Sequence, residues 1–346
     1  MLERFLGKFS KDLGIDMGSS STLVITNEKG IIVNEPSVVA VNTRTDEILA
    51  VGTEAAKMSG KTPSYIMAIH PLEHSVISDF EVTEKMLKHF IDKAHAENFV
   101  LLPRPRVVIG IPSDITEVEK KAVEDVTKSA GAREILLVEN ALLAAIGARL
   151  PVLDATANMI IDIGGGTTEI AIVSLGGVVT WKNLRLSSGT FDHDIVQYAR
   201  EEFNMLIGER VAEEIKMRIG SATPLAEELE MKMRGRDLIN GLPKEISIND
   251  GQIREALARS IYHIIESIKA TLEMTPPELV ADIYERGITL TGGGALLRGL
   301  DIEIARATKI PVRIADEPLT CVARGAGKIL EDLESYKNIF TPSATD

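Results

Sequence analysis

Several protein classes are excluded by what this sequence lacks. Of its 346 residues only Cys321 is a cysteine, so no internal disulfide can form. No run approaches the ~18 to 20 apolar residues that a membrane-crossing helix requires. Basic residues are in the minority, 38 Lys and Arg against 51 Asp and Glu, and the net charge of -13 repels phosphate backbones, so no nucleic-acid partner is expected. There is no G-x-x-x-x-G-K-[ST] arch, since Gly325, Gly327 and Lys328 are too closely spaced to form one, and P-loop chemistry is excluded. No G-x-S-x-G elbow offers an acyl-transfer nucleophile. The six histidines (70, 74, 89, 95, 193 and 263) are too scattered for a metal cluster and are expected at the surface. No apolar signal core with a small-residue cleavage site opens the chain, so a cytosolic character is expected.

What is present suits a globular protein. Hydrophobic residues make up 45% and charged residues 26%, and the length suits two domains or one large two-lobed body. In the opening MLERFLGKFS, Leu2, Phe5, Leu6 and Phe9 recur at helical spacing, with Glu3, Arg4 and Lys8 on the other face. So short a helix is unstable alone and must dock, either on its own protein body or on an anionic lipid surface. A second apolar feature, Phe99, Val100, Leu101 and Leu102, falls between a predicted helix and a predicted strand, where loops are normally polar. It is either tucked into the core or a membrane-inserting tip.

From Leu13 onward, short apolar runs with turn residues predict a hairpin and further antiparallel strands. Helical periodicity covers Thr83 to Ala96, and Arg106 to Ile111 reads as a strand. Thr116 caps a helix reaching Gly131, with Glu119 completing a capping box. Glu134 to Val138 reads as a strand and Ala141 to Ala148 as a helix. Further on, helices are expected over Phe191 to Phe203, Gly208 to Arg218 and about Asp250 to Leu272. Between the last two lies a polar stretch ending at Pro243. A strand over Gly287 to Leu290 then leads into a glycine run and a helical Leu296 to Arg298. Alternating strands and helices indicate an α/β sheet.

The second half opens by repeating the first. GIDMGSSSTL around Asp16 and IDIGGGTTEI around Asp162 share an Asp, a glycine two residues later, small residues and a Thr, then a β-rich run. This marks an internal duplication. Each small-residue turn, Gly18 to Ser21 and Gly164 to Thr167, presents backbone N–H groups with little side chain in the way, a geometry that binds phosphate oxygens. Asp16 and Asp162, at the strand ends, are oxygen ligands of the kind that Mg²⁺ prefers, acting through its retained waters. Read more plainly, either aspartate is a turn cap. The run Gly292, Gly293, Gly294, Ala295 either admits a flat base or ribose to the backbone, or serves close packing of a helix on a strand.

These motifs resemble the actin, sugar kinase and heat-shock chaperone ATPase superfamily, and within it the MreB family of bacterial actins. Similar stretches include NEPSVVAV, VVIGIPSDITEVEKKAV, AGAREILLVENALLAAIGARLPV, IGERVAEEIKMRIGSA and ERGITLTGGGALLRGLD, in order from about Asp12 to Lys328. The resemblance implies an α/β actin-like ATPase fold, two duplicated RNase H-like lobes around a nucleotide cleft. Residues 12–150 would form domain I, with a small subdomain at about 31–79. Residues 151–330 would form domain II, with a small subdomain at about 190–250, and about 318–330 would pack back on domain I. Residues 1–11 would be a membrane-binding helix and 331–346 a tail.

Carried over by position, the resemblance gives Ser19, Ser20 and Ser21 to the first phosphate turn, where the family usually has Thr-Ala-Asn, and Gly165, Gly166 and Thr167 to the second. Glu213, Glu214, Ile215 and Lys216 fall in the ribose and base segment; the bland reading of Glu213 and Lys216 is an exposed i,i+3 ion pair. Gly292 to Ala295 fall in the adenosine loop. The resemblance further implies ATP with Mg²⁺ and polymerisation into paired protofilaments. It places them at the inner face of the cytoplasmic membrane, in contact with cell-wall synthesis proteins.

One departure concerns chemistry. Where the family reads Glu-Glu-Pro, this chain has Glu139, Asn140 and Ala141. The second Glu is thought to orient the attacking water; Asn140 can hold a water but cannot take its proton, so hydrolysis is expected to be slow. Glu139 and Thr167 are the other candidates for that water, and the plain reading of Asn140 is an N-cap for a helix beginning at Ala141.

Overall fold

The computed structural model describes residues 11–96 and 104–343. The chain divides into two units, residues 1–156 with 173–178 and 319–346, and residues 157–172 with 179–318.

The first unit is built on strands β1 (Leu13–Met17), β2 (Ser21–Thr26) and β3 (Gly30–Pro36). A small layer follows: β4 (Val39–Asn42), β5 (Glu47–Val51), helix α1 (Thr53–Met58) and β6 (Ile66–Ile69). Next come the two-residue strands β7 (Leu72–Glu73) and β8 (Val76–Ile77), then α2 (Phe80–His95), β9 (Arg106–Ile111), α3 (Glu117–Ser129), β10 (Glu134–Glu139) and α4 (Asn140–Gly147). The main sheet runs β10-β9-β1-β2-β3, with β10, β9 and β1 parallel and β1, β2 and β3 antiparallel. Ile15, Ile109, Phe90 and Ile91 lie in its core and are fully buried.

The second unit repeats this plan with β11 (Asn158–Ile163), β12 (Thr168–Ser174) and β13 (Gly177–Leu184). Then follow α5 (Ser188–Phe203), β14 (Met205–Leu206), α6 (Glu209–Ile219), β15 (Glu230–Asp237), β16 (Pro243–Asn249), α7 (Asp250–Glu273), α8 (Pro277–Arg286), β17 (Ile288–Thr291), α9 (Leu300–Thr308) and β18 (Val312–Ile314). Its sheet order, β13-β12-β11-β17-β18, mirrors that of the first unit, with β11, β17 and β18 parallel. Each unit also carries a separate three-stranded sheet between its third and fourth main strands, β5-β4-β6 in one and β14-β15-β16 in the other. The duplication read from the two Asp-Gly motifs is therefore a duplication of whole sheets.

Helix α10 (Cys321–Glu331) packs on α4 and β1 within the first unit. Glycines make this possible. A Cβ on Gly147 would lie 1.8 Å from the Cys321 carbonyl oxygen, and one on Gly325 2.0 Å from that of Leu143. Gly325 is thus a helix-packing residue, and a Cβ on Gly327 would lie 2.8 Å from an Ile25 methyl on β2.

Three expectations need correction. The polar stretch before Pro243 contains β15, which pairs antiparallel with β16 starting at Pro243, the two joined by a turn at Asn240 and Gly241. The helical turn expected at Leu296 to Arg298 is a 3₁₀ turn over Gly293–Leu296, and α9 starts later, after Gly299. His95 is buried, its Nδ1 within 2.8 Å of the Ile91 carbonyl, while the other five histidines are exposed as expected.

Candidate functional site: two phosphate-type turns and a lysine clamp

In the first unit, β1 delivers Asp16 and the chain turns through Gly18 to Ser21. The Gly18 N–H donates to the Ser21 carbonyl at 3.1 Å. Ser37, fully buried, braces the turn: its hydroxyl donates to the Gly18 carbonyl at 2.6 Å and its N–H to the Ser20 carbonyl at 3.0 Å. Ser19 Oγ accepts the Ser75 N–H at 2.8 Å. None of these bonds uses the amide hydrogens of Ser19 or Ser20, which suits a turn that presents N–H groups to an anion.

The second unit repeats the design with different braces. The Gly164 N–H donates to the Thr167 carbonyl at 2.9 Å. The Ser187 hydroxyl donates to the Gly165 carbonyl at 2.8 Å, and the Ser188 N–H to the Gly164 carbonyl at 2.9 Å. Ser187 is also the N-cap of α5, in a capping box with Thr190, so one residue fixes both the phosphate-type turn and the helix start. Thr167 is buried. Asp162, near the end of β11, has its Oδ1 held at 2.8 Å by the Thr291 hydroxyl; burial pushes its pKa up, and the Thr291 hydrogen bond opposes that rise.

Lys216 on α6 does not pair with Glu213, and the exposed i,i+3 ion pair is not formed. Its ammonium donates to Asp192 Oδ2 at 2.7 Å, to the Ser188 hydroxyl at 2.8 Å and to the Ser188 carbonyl at 2.9 Å. The lysine is therefore tied to the first turns of α5, the helix whose cap braces Gly165. Burial pushes Asp192 up to about 6; Lys216 opposes this, and Glu213 and Glu209 add to it. Glu213 and Glu214 are exposed, Glu214 pairing with Arg218, and Ile215 is in the core.

In the glycine run, Gly292 has φ of +79°, and a Cβ there would lie 2.3 Å from the Ile163 carbonyl oxygen. On Gly294 it would lie 2.2 Å from an Ile163 methyl. Both glycines thus meet the requirement of close packing on β11. The Gly292 N–H donates to the Pro318 carbonyl at 2.9 Å, and Ala295 is buried. Gly293 begins the 3₁₀ turn.

The cap of α4 differs by one residue from the expectation. Glu139 is the N-cap, without a capping side-chain bond, and Asn140 is the first helical residue. Asn140 turns its amide oxygen onto β9, where a Cβ on Gly110 would come within 2.1 Å of it. Burial raises the Glu139 pKa, with the neighbouring Ser113 hydroxyl pulling the other way. A raised carboxylate is the better proton acceptor of the two neighbours.

Leu2, Phe5, Leu6, Phe9, Phe99, Val100, Leu101 and Leu102 lie outside the described residues. Among the described residues no helix is long and apolar enough to cross a membrane, and no group of three or more Cys, His, Asp or Glu gathers as a metal site. Residues that the sequence reading missed are Ser37, Asp192, Ser187 and Thr291. Only Ser187 carried a local signal, its cap box.

Two sheets of identical order, each opening on an Asp followed by a phosphate-type turn, define an actin-like fold. The match to known structures agrees. MreB5 of Spiroplasma citri, in a crystal structure bound to AMPPNP, superposes with a TM-score of 0.90 at 36% identity, over 95% of this chain and 98% of that one. The MamK double helical filament gives 0.78 at 23% identity over 92% and 98%, a likeness of fold alone. The family model for MreB/Mbl protein matches residues 10–338. Cell shape-determining protein MreB of Escherichia coli (strain K12) is 48% identical over 342 residues, covering 97% of this chain and 98% of that protein. The chain belongs to the MreB/Mbl family.

Proposed function

We propose that this protein binds ATP, polymerises, and works at the inner face of the cytoplasmic membrane, where its filaments guide cell-wall synthesis and so maintain cell shape. The observation that carries this reading is near-full-length membership of a family whose curated relatives are named cell shape-determining proteins. The AMPPNP bound to the Spiroplasma relative supports nucleotide binding, and the MamK filament supports assembly on this fold.

On this reading Ser19 to Ser21 and Gly165 to Thr167 are phosphate-binding turns. Lys216, held by Asp192 and Ser188, addresses the ribose and base together with Glu213, Glu214 and Ile215, and the loop from Gly292 to Ala295 accepts the adenosine. Magnesium fits the donors present. Asp162 is a hard oxygen ligand whose ionised form is disfavoured by burial, and a divalent cation nearby would offset that cost. Asp16 offers a second carboxylate. Bound magnesium would neutralise charge on the β- and γ-phosphates.

Hydrolysis on this reading is slow, with Asn140 orienting the water and Glu139 or Thr167 sharing that task. The apolar residues of the first ten, with Phe99 to Leu102, supply membrane anchors that become effective when many subunits line up. Sedimentation with ATP, ADP or no nucleotide, with and without anionic vesicles, tests the proposal. Nucleotide-independent solubility at all concentrations would overturn it.

A further inference from the structure

The first unit holds an open cavity of 540 Å³, unrelated to the phosphate-type turns. Three cations line it. Arg324 and Lys328 stand one turn apart on the same face of α10, and Arg149 follows the C-terminal end of α4 with φ of +60°. Among the described residues the one carboxylate in its wall, Glu331, is paired with Lys328 at 2.6 Å, so these residues carry a net charge of about +2 in a chain of -13. The last carbonyls of α4 do not confront a bound anion: those of Ala144, Ala145 and Ile146 accept the N–H groups of Ala148, Leu150 and Arg149. Two guanidinium groups and an ammonium around one cavity favour a phosphate or carboxylate.

Two further features select among anions. Ile25, Ile146 and Leu150 give the cavity apolar walls. Its wall also includes Asn27, the neighbour of Glu28, and Glu28 is ion-paired with Lys11. Lys11 immediately follows the amphipathic ten residues. The cavity therefore opens beside the point where the proposed membrane segment leaves the fold, and a lipid-bound segment would bring headgroups to it.

We propose that this cavity binds the phosphate headgroup of an anionic phospholipid, with Arg149, Arg324 and Lys328 as its ligands and the apolar wall against the glycerol backbone. The assignment rests on the membrane reading above and adds a defined headgroup site to the anionic preference that Arg4 and Lys8 would give.

The test is co-sedimentation of the full chain with vesicles of phosphatidylglycerol or of phosphatidylcholine alone. Wild type should prefer phosphatidylglycerol by about tenfold or more, from two to three cations near a charged surface. The double variant Arg149→Gln, Lys328→Gln should reduce that preference several-fold while binding phosphatidylcholine and ATP as before. If wild type binds neither vesicle, the membrane reading falls and this assignment with it; if wild type is selective and the variant equally so, the cavity assignment alone is wrong. Calorimetry with inorganic phosphate adds a third arm: millimolar binding without vesicles that the double variant abolishes would make this a soluble-phosphate site. Equal thermal destabilisation by the double variant and by deletion of residues 1–10, without vesicles, would assign the cavity to the chain's own first residues. Either result overturns the lipid assignment.

Discussion

Lys216 Nζ lies 2.7 Å from Asp192 Oδ2, and both side chains are largely withdrawn from solvent. The pair joins α6 to the start of α5, which in turn braces the Gly165 turn. Lys216 and the Gly165 turn are thereby one mechanical unit, in which disturbance of the aspartate reaches both.

A pH dependence follows. With Asp192 raised from 3.8 to about 6, the folded state between those values holds a proton that the unfolded state has released. This contribution to stability is fully present below about pH 4 and is lost as pH rises through about 6. Wild-type stability should therefore fall relative to Asp192→Asn over that window, by up to about 3 kcal/mol. Denaturant melts of both proteins at several pH values measure it; parallel curves would rule it out. ATP affinity should move the opposite way, weakening as pH falls through about 6 in wild type only, because neutral Asp192 no longer fixes Lys216.

Ser19→Ala removes the acceptor for the Ser75 N–H, in a turn where His74 and Ser75 both have positive φ. The expected loss is about 1 kcal/mol of stability, the usual worth of one such bond, together with weaker ATP binding. Calorimetry and thermal melts of the variant check both; unchanged nucleotide affinity would remove Ser19 from the site.

The α4–α10 contact predicts a steep cost for one methyl group. Gly325→Ala should destabilise the protein by about 1 to 3 kcal/mol or more, because a Cβ would lie 2.0 Å from the Leu143 carbonyl oxygen. At Gly208, where a Cβ meets nothing within 4 Å, the same change should cost less than about 1 kcal/mol. Equal melting temperatures for the two variants would contradict the packing argument.

For hydrolysis, Asn140→Glu should speed single-turnover phosphate release, by ~10² or more if general-base help is what the chain lacks. Glu139→Ala should abolish release if Glu139, with its raised pKa, has taken over the water. If neither change alters the rate, Thr167 is the next residue to substitute.

The sequence disclosed the duplication and both phosphate-type turns because their chemistry is local: an Asp, a Gly and small residues within seven positions. Elements with strong periodicity or caps were equally legible, such as α3 with its Thr116 box and the long α7. The hairpin β15–β16 was hidden by its composition. Charged residues fill its solvent-facing positions, Met233 and Ile248 are its fully buried side chains, and the Asn240-Gly241 pair was the turn signal to read. The clamp on Lys216 was illegible for another reason. Asp192 is 24 residues away, and no spacing rule links a lysine to a carboxylate on a neighbouring helix. The glycine run shows the limit of motif reading: Gly292 and Gly294 are explained by contact with Ile163, whatever else the loop does.

On the proposed reading, nucleotide binding drives assembly on a membrane surface. Negative-stain electron microscopy of the purified chain with anionic liposomes, with ATP and magnesium or with neither, addresses it most directly. Filaments should lie along the liposomes only when ATP is present, and Asp162→Ala should give none. Filaments that form equally without nucleotide, or no filaments in any condition, would contradict it.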